Sequence, residues 1–437
     1  MTDVTEMTEM PEPSEVTAIL HRLLRIDTSN PGKVERPAAE AVAELLAEVG
    51  IESQLLEGAP GRTNLIARIP GLDPSRPALL IHGHLDVVPA VASEWTVDPF
   101  SGELRDGCLW GRGAVDMKDM IAMVVTVLRQ WARSGRKPGR DLVIAFMADE
   151  ELGSTTGARW LVAEHPEIFA DCSEAIGEVG GFSVSLDEQA RLYLVQVAEK
   201  GLTWLRLRAS GRPGHGAMIH PDNAVTRLAS AVSRIGNHEF EVHVLPEVAL
   251  LLRELEPLVG TELDPSRSAD WLPRLGGLAR AVGASLRNTA NPTRFEAGYQ
   301  HNVVPSTAEA IIDARFLPGH EEELMSQIAA LAGDGIDIEV LVHGVAVETS
   351  FDGALVEAMC AGLREQDPTG IPVPYLLTGG TDAKVFDPLG IRCFGFCPLQ
   401  LPADLDFSAL FHGIDERVPI AALEFGVRTL DRVLADC

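Results

Sequence analysis

Apolar positions recur at three- and four-residue spacing over residues 14 to 24 and 36 to 49, which predicts two helices. Two short apolar runs follow, TNLIARI (63–69) and PALLIHGHL (77–85), and both have the length of strands. A third helical pattern covers 119 to 134, and Val143 to Ala148 is an unbroken apolar run that stops at Asp149, Glu150 and Glu151. Continuous apolar strands suit a parallel sheet covered on both faces, and strands alternating with helices mark an α/β layer. The rhythm changes after RLYLVQVAEKG. LTWLRLRASG alternates like a strand with one wet face, DNAVTRLASAVSRI is amphipathic, AEAIIDARF and DIEVLVHG read as strands, and EEELMSQIAALA reads as a helix. RCFGFCPL and IAALEFGVRTLDRVLADC then predict a last strand and helix. The pattern predicts one α/β domain in two parts, 1–196 and 346–437, around an α+β insertion at 197–345.

Composition narrows the class. With 437 residues, 46% of them hydrophobic and 23% charged, the chain has the make-up of an ordinary globular protein of two or more domains. A formal net charge of −28 disfavours nucleic acid and anionic membrane surfaces as partners. No apolar run reaches the roughly 20 residues of a spanning helix, and the start MTDVTEMTEMPEPSE is acidic where a secretory signal would be basic and then apolar. A short frayed tail on a cytoplasmic protein is the expectation. Six cysteines lack regular spacing or a CxxC pair, which favours reduced thiols and gives no support to cysteine metal ligation.

Candidate chemistry gathers at strand ends. In LLIHGHLDVVP, His84 and Asp86 stand two apart, so both side chains share a face and the carboxylate can hold one ring nitrogen while the other meets a metal. His82 lies on the same face, and the Asp two places on favours His84. LWGRGAVDMKDM places Asp116 in a glycine-punctuated loop before a helix, EAIGEVGGFS places Glu178 after an apolar run, and FHGIDERVPI places His412 before the last helix. Each alone reads as a structural turn or a hydrogen-bonded strand end. Together, Asp116, Glu150, Glu151 and Glu178 without counter-charge would repel one another in a cleft at the carboxyl ends of strands, where open sheets bind ligands. Divalent cations resolve that conflict, one Asp bridging two ions. Zinc suits the mixture of nitrogen and oxygen donors, and cobalt or manganese could take the same ligands.

HGHLDVVP, GRGAVDMKD, ADEELGS and FHGIDERV, in that order, resemble the motifs of the dinuclear zinc family that includes acetylornithine deacetylase, succinyl-diaminopimelate desuccinylase, aminoacylase and bacterial glutamate carboxypeptidase. The resemblance spans nearly the whole chain. It implies a zinc-exopeptidase-type three-layer catalytic domain with a mostly parallel central sheet, and an inserted α+β lid and dimerisation domain. It implies two Zn2+ per subunit, with His84 and Glu178 on one ion, Glu151 and His412 on the other, and Asp116 between them. Asp86 matches the residue that orients the ligand histidine, Glu150 matches the general base, and the peptide after Asp116 is expected to be cis. EVGG at Glu178 departs from the Glu-Pro or Asp of better-known members.

The implied reaction is hydrolysis of an amide by a metal-bridged hydroxide, with Glu150 moving the proton. SGRPGHGAM resembles the segment whose His, here His215, reaches across a homodimer into the partner's site. GYQHNVVPSTAEAIIDARFLPG supplies Asn302 and Arg315, the latter open to a salt-bridge role as well. LTGGTDAKVF resembles the glycine loop whose backbone N–H groups, here with Gly380 and Thr381, lie near the substrate carboxylate, and free N–H groups in such a loop suit anion capture. The expected substrate is a small molecule with a free carboxylate, a dipeptide or an N-acyl amino acid. The alternative is a non-peptide amide such as an N-carbamoyl amino acid or a succinylated diamino acid. The long stretch 244–297 resembles the larger carboxypeptidase and N-acyl amino acid hydrolase branch, which admits a bulkier acyl group. A silent binding homologue, or a purely structural dimer, would be expected to have lost a ligand or the base, and every position is present.

Overall fold

The computed structural model describes residues 13–185 and 190–437, so most of the acidic start lies outside the described residues. The chain divides into two compact units. The first contains residues 1–173, 357–368 and 397–437, and the second 174–356 and 369–396.

In the first unit the strand Ala78–His84 pairs in parallel with Leu142–Met147, with His84 opposite Met147. Arg62–Ile69 runs antiparallel to Leu142–Met147 on its other side, and Gln54–Ala59 closes that edge antiparallel to Arg62–Ile69. Every residue of Ala78–His84 and of Leu142–Met147 is buried, as their unbroken apolar sequences predict. Burial on both faces needs helices. Lys118–Ser134 packs against Glu15–Leu24, Arg36–Ala47 and Ile420–Asp436. Met120, Ile121, Val124, Val125 and Leu128 are essentially fully buried, each contributing about 1.5–3 kcal/mol by leaving water. The helix ends at Gly135, whose φ of 70° gives the left-handed residue a helix stop favours.

In the second unit, residues 174–177 pair in parallel with Arg392–Gly395, and Arg191–Glu199 pairs in parallel with Ile371–Leu377. A separate four-stranded antiparallel sheet runs in the order Thr289–Ala297, Thr307–Phe316, Gly201–Ser210, Ile336–Gly344. Gly201–Ser210 alternates buried and accessible residues along its length. Its buried face (Leu205, Leu207, Ala209) shares a core with Leu228 and Ile235 of helix Ala224–Gly236 and Leu324 and Ile328 of helix Glu321–Ala332. The protein is thus mixed α/β, with parallel pairs inside the main layers and an α+β element whose strands and helices fall within 197–345. The two-unit division also assigns the strands Arg191–Glu199, Ile371–Leu377 and Arg392–Gly395 to the second unit, beyond the boundaries the sequence pattern gave. No helix among the described residues is long and apolar enough to cross a membrane, and none of the six cysteines is in a disulfide.

Candidate metal centre

Leu142–Met147 delivers the chain into a turn whose first corner is Asp149, with φ at 69°. Asp is one of the few residues that enter this left-handed region readily. Its carboxylate fixes the corner by accepting from Asn30 Nδ2 (3.0 Å), Arg62 Nη2 (2.8 Å), Thr155 Oγ1 (2.7 Å) and the Thr156 amide (3.1 Å). Burial opposes the charge on Asp149, yet these bonds outweigh it and hold the carboxyl down at about 2. Glu150 and Glu151 follow in a short 3-10 turn, aimed by the strand end and its pinned corner.

Asp86 completes the mount. Its Oδ1 accepts from the Glu150 amide (3.1 Å), and its Oδ2 accepts from the Glu151 amide (3.2 Å) and Asn30 Nδ2 (2.9 Å). The expected carboxylate bond to His84 is replaced by another: His84 Nδ1 lies 2.9 Å from the Asp86 backbone carbonyl and 3.6 Å from its carboxylate. A carbonyl only accepts, so it fixes His84 with the proton on Nδ1 and the lone pair on Nε2. The Asp86 carboxylate therefore positions the Glu150–Glu151 turn. His82, on the same strand face, is buried, and burial pulls its pKa down to about 3, which keeps it neutral.

Asp116 stands just before helix Lys118–Ser134, and the Asp116–Met117 peptide is cis as expected. Its two oxygens face different imidazoles. His84 Nε2 lies 3.1 Å from Oδ1, and His412 Nε2 lies 3.3 Å from Oδ2. His412 Nε2 also lies 3.1 Å from Glu151 Oε2. Hydrogen bonds to Asp116 and Glu151 push His412 up to about 10, so a protonated imidazole answers two clustered carboxylates. Glu151 Oε1 is buried and has no hydrogen-bond partner. Ligand atoms of Asp116, Glu151 and His412 all lie within 4.8 Å of one another. An orphaned carboxylate oxygen, a carboxylate facing two ways and two imidazoles at this spacing fit divalent cations.

Two residues outside the sequence-derived set hold Asp116 in place. Glu416 accepts from Arg112 Nη1 (2.7 Å), the Val115 amide (2.8 Å) and the Asp116 amide (3.2 Å). Burial pushes Glu416 up to about 7 against the pull of Arg112. Both residues stand inside motifs already singled out, GRGAVDMKD and FHGIDERV, and that was the only signal for them. Asn30, the shared donor to Asp86 and Asp149, carries none.

The other predicted site residues belong to the second unit. Glu178 is buried just past the strand Cys172–Gly177. The unusual glycines behind it have a packing reason: a Cβ at Gly180 would lie 2.0 Å from the Gly395 carbonyl oxygen, and Gly181 has φ of 75°. His215 and Asn302 are brought together, since His215 pairs with Val303 in a two-residue ladder and the Gly216 amide donates to the Asn302 carbonyl at 2.8 Å. Arg315 is bound by Asp313 through Nε (2.6 Å) and Nη2 (3.1 Å). Thr381, expected with the loop amides near a substrate carboxylate, is bound to Glu199. Its amide donates to Glu199 Oε2 at 3.0 Å and its hydroxyl to Glu199 Oε1, so a buried carboxylate already occupies both donors.

The chain matches the model of peptidase family M20/M25/M40 over residues 80–436; it belongs to that family and is a hydrolase. It is 26% identical over 425 residues to aminoacylase-1 of Sus scrofa, covering 95% of this chain and 94% of that protein. It is 29% identical over 384 residues to a probable carboxypeptidase S-like protein of Dictyostelium discoideum, covering 82% of this chain and 71% of the relative. Among solved structures, an M20 family metallo-carboxypeptidase from Sulfolobus solfataricus superposes with a TM-score of 0.73 at 19% identity, covering 97% of this chain and 99% of that one.

Proposed function

We propose that this chain hydrolyses the amide bond of an N-acyl amino acid or dipeptide at a centre of two divalent metal ions. The observation that carries the reading is Asp116, whose two oxygens face two different imidazoles while Glu151 keeps a buried oxygen without a partner. Asp116 would bridge the ions, Glu151 and His412 would hold one, and His84 would hold the other with Glu178, as the resemblance assigns. The nitrogen and oxygen donors favour zinc, with cobalt or manganese able to substitute. When bound, the ions polarise the scissile carbonyl and acidify the attacking water.

The rest of the chemistry belongs to the chain. Glu150, its backbone fixed by Asp86, takes the proton of the attacking water and delivers it to the leaving nitrogen. His215, beside Asn302, serves the oxyanion of a partner subunit in a homodimer formed through an inserted lid, residues 197–345. Asn302 and the Gly380 loop hold the substrate carboxylate, Thr381 shapes that loop through Glu199, and Arg315 acts with Asp313 attached. The names of the relatives, an aminoacylase and a carboxypeptidase, support an amino acid with a free carboxylate on the leaving side. Nucleic acid and membrane are not partners in this reading, and the protein works in the cytoplasm.

The test is a substrate panel. Metal-stripped protein with zinc, cobalt or manganese restored is assayed on dipeptides and on N-acetyl, long-chain N-acyl, N-succinyl and N-carbamoyl amino acids. Hydrolysis of N-acyl amino acids or dipeptides only after metal is restored is expected. Turnover confined to the carbamoyl or succinyl compounds would replace the substrate class, and turnover unchanged by stripping would remove the metal mechanism.

A further inference from the structure

We propose that the second unit carries an additional divalent transition-metal site, formed by His243, His320 and Glu323, none of which belongs to the centre around Asp116. His243 Nε2 lies 3.0 Å from Glu323 Oε2, and His320 Nδ1 lies 2.9 Å from the same oxygen. One ligand atom from each of the three lies within 4.8 Å of the other two. Donors on a tetrahedron around zinc, at about 2.1 Å from the ion, are themselves about 3.4 Å apart, so small side-chain adjustments suffice. The imidazole rings stack with centroids 3.8 Å apart and 26° between planes, which presents their nitrogen edges to the same side, toward Glu323.

The backbone fixes all three positions. His320 occupies the N-cap position of helix Glu321–Ala332 and Glu323 sits in its first turn, so the two stand at i and i+3 on one face. His243 arrives from a segment tied down by its own amide, which donates to the Leu286 carbonyl at 2.8 Å. Two imidazole nitrogens with one carboxylate select zinc, or cobalt or nickel in its place, over magnesium or calcium.

The site would fasten the start of the long segment 244–297 to the helix that backs the four-stranded sheet. It would be structural, since none of the three residues belongs to the proposed catalytic machinery.

The experiment is metal stoichiometry on the full chain, stripped of metal and dialysed against zinc, with bound zinc per chain read by inductively coupled plasma mass spectrometry. Wild type is compared with His320→Gln and with Glu323→Gln, circular dichroism confirming that each is folded. Each variant is expected to bind one zinc fewer per chain than wild type while keeping its hydrolase rate. Equal zinc content in wild type and a folded variant would overturn the proposal. Should neither variant fold, cobalt loading of wild type decides: one cobalt per chain that survives the loss of the Asp116 centre in Asp116→Asn supports the site, and its absence overturns it. Because the count is a difference between variants, failure of the Asp116 centre to bind metal leaves the test readable.

Discussion

Asp116 owes its place to Glu416, which lies 300 positions along the chain and accepts from its amide. Removing one partner of a buried charged pair leaves the other uncompensated. Glu416→Gln is therefore expected to lower unfolding stability by about 3–5 kcal/mol and to weaken zinc binding, measured by urea denaturation and by titration. A variant as stable as wild type would show that Arg112 does not depend on it. Glu150→Gln should behave in the opposite way, with stability and bound metal unchanged and turnover lower by about 10²- to 10⁴-fold, the usual contribution of a general base. Loss of metal in that variant would reassign Glu150 as a ligand. His84, Asp116, Glu151 and His412 could be singled out as candidates in the sequence because side chains able to hold a metal are of few kinds and must stand where a strand or loop can aim them. Asn30, Arg112 and Glu416 were not, because their roles consist of bonds to partners far away in sequence. Thr381 marks the limit from the other side: a glycine-rich loop announces mobile amides, but only the fold reveals that Glu199 has claimed one.

Elements with a strong period were read almost to the residue. The helix expected at 119 to 134 spans Lys118–Ser134, and EEELMSQIAALA is the helix Glu321–Ala332. The strand Ile371–Leu377 and the helix Ala354–Gln366 have no counterpart in the sequence pattern; two prolines interrupt the strand's apolar run. Gly157 ties the Glu150 turn to its strand, since an added Cβ would lie 1.8 Å from the Ala148 carbonyl oxygen. Gly157→Ala is expected to cost about 1–3 kcal/mol in denaturant melts and to reduce turnover by displacing that turn. Unchanged melts would mean that the backbone relaxes freely there. Lys200, fully buried in the second unit, is pulled down to about 7 by burial and then by Arg315 and Arg287. Its ordinary value is 10.5, so between pH 7 and 10.5 the unfolded chain binds the proton that the folded chain has released. Stability from this residue therefore rises with pH across that window and is lowest below it. Lys200→Met should remove that rise, read as the difference in unfolding free energy between pH 7 and pH 9. An identical rise in both proteins would place its cause elsewhere.

At the scale of the molecule, α/β class and an inserted α+β element were legible because the period of apolar positions switches near residue 197. The compact units follow long-range pairing as well. Strands of both sequence-defined parts join one compact unit, and such pairing over long range has no local signature. Ions that bind only the folded state stabilise it by mass action, about 2.7 kcal/mol per site when free metal is a hundredfold above its dissociation constant. Chelation is thus expected to lower the melting temperature reversibly, and a melt indifferent to chelator and zinc would speak against bound ions. The most direct measurement is an anomalous difference map at the zinc edge from crystals of the zinc-loaded full chain. Two peaks on either side of the Asp116 carboxylate, about 3.5–4 Å apart, are predicted. A single peak, or none touching Asp116, would contradict the two-metal centre.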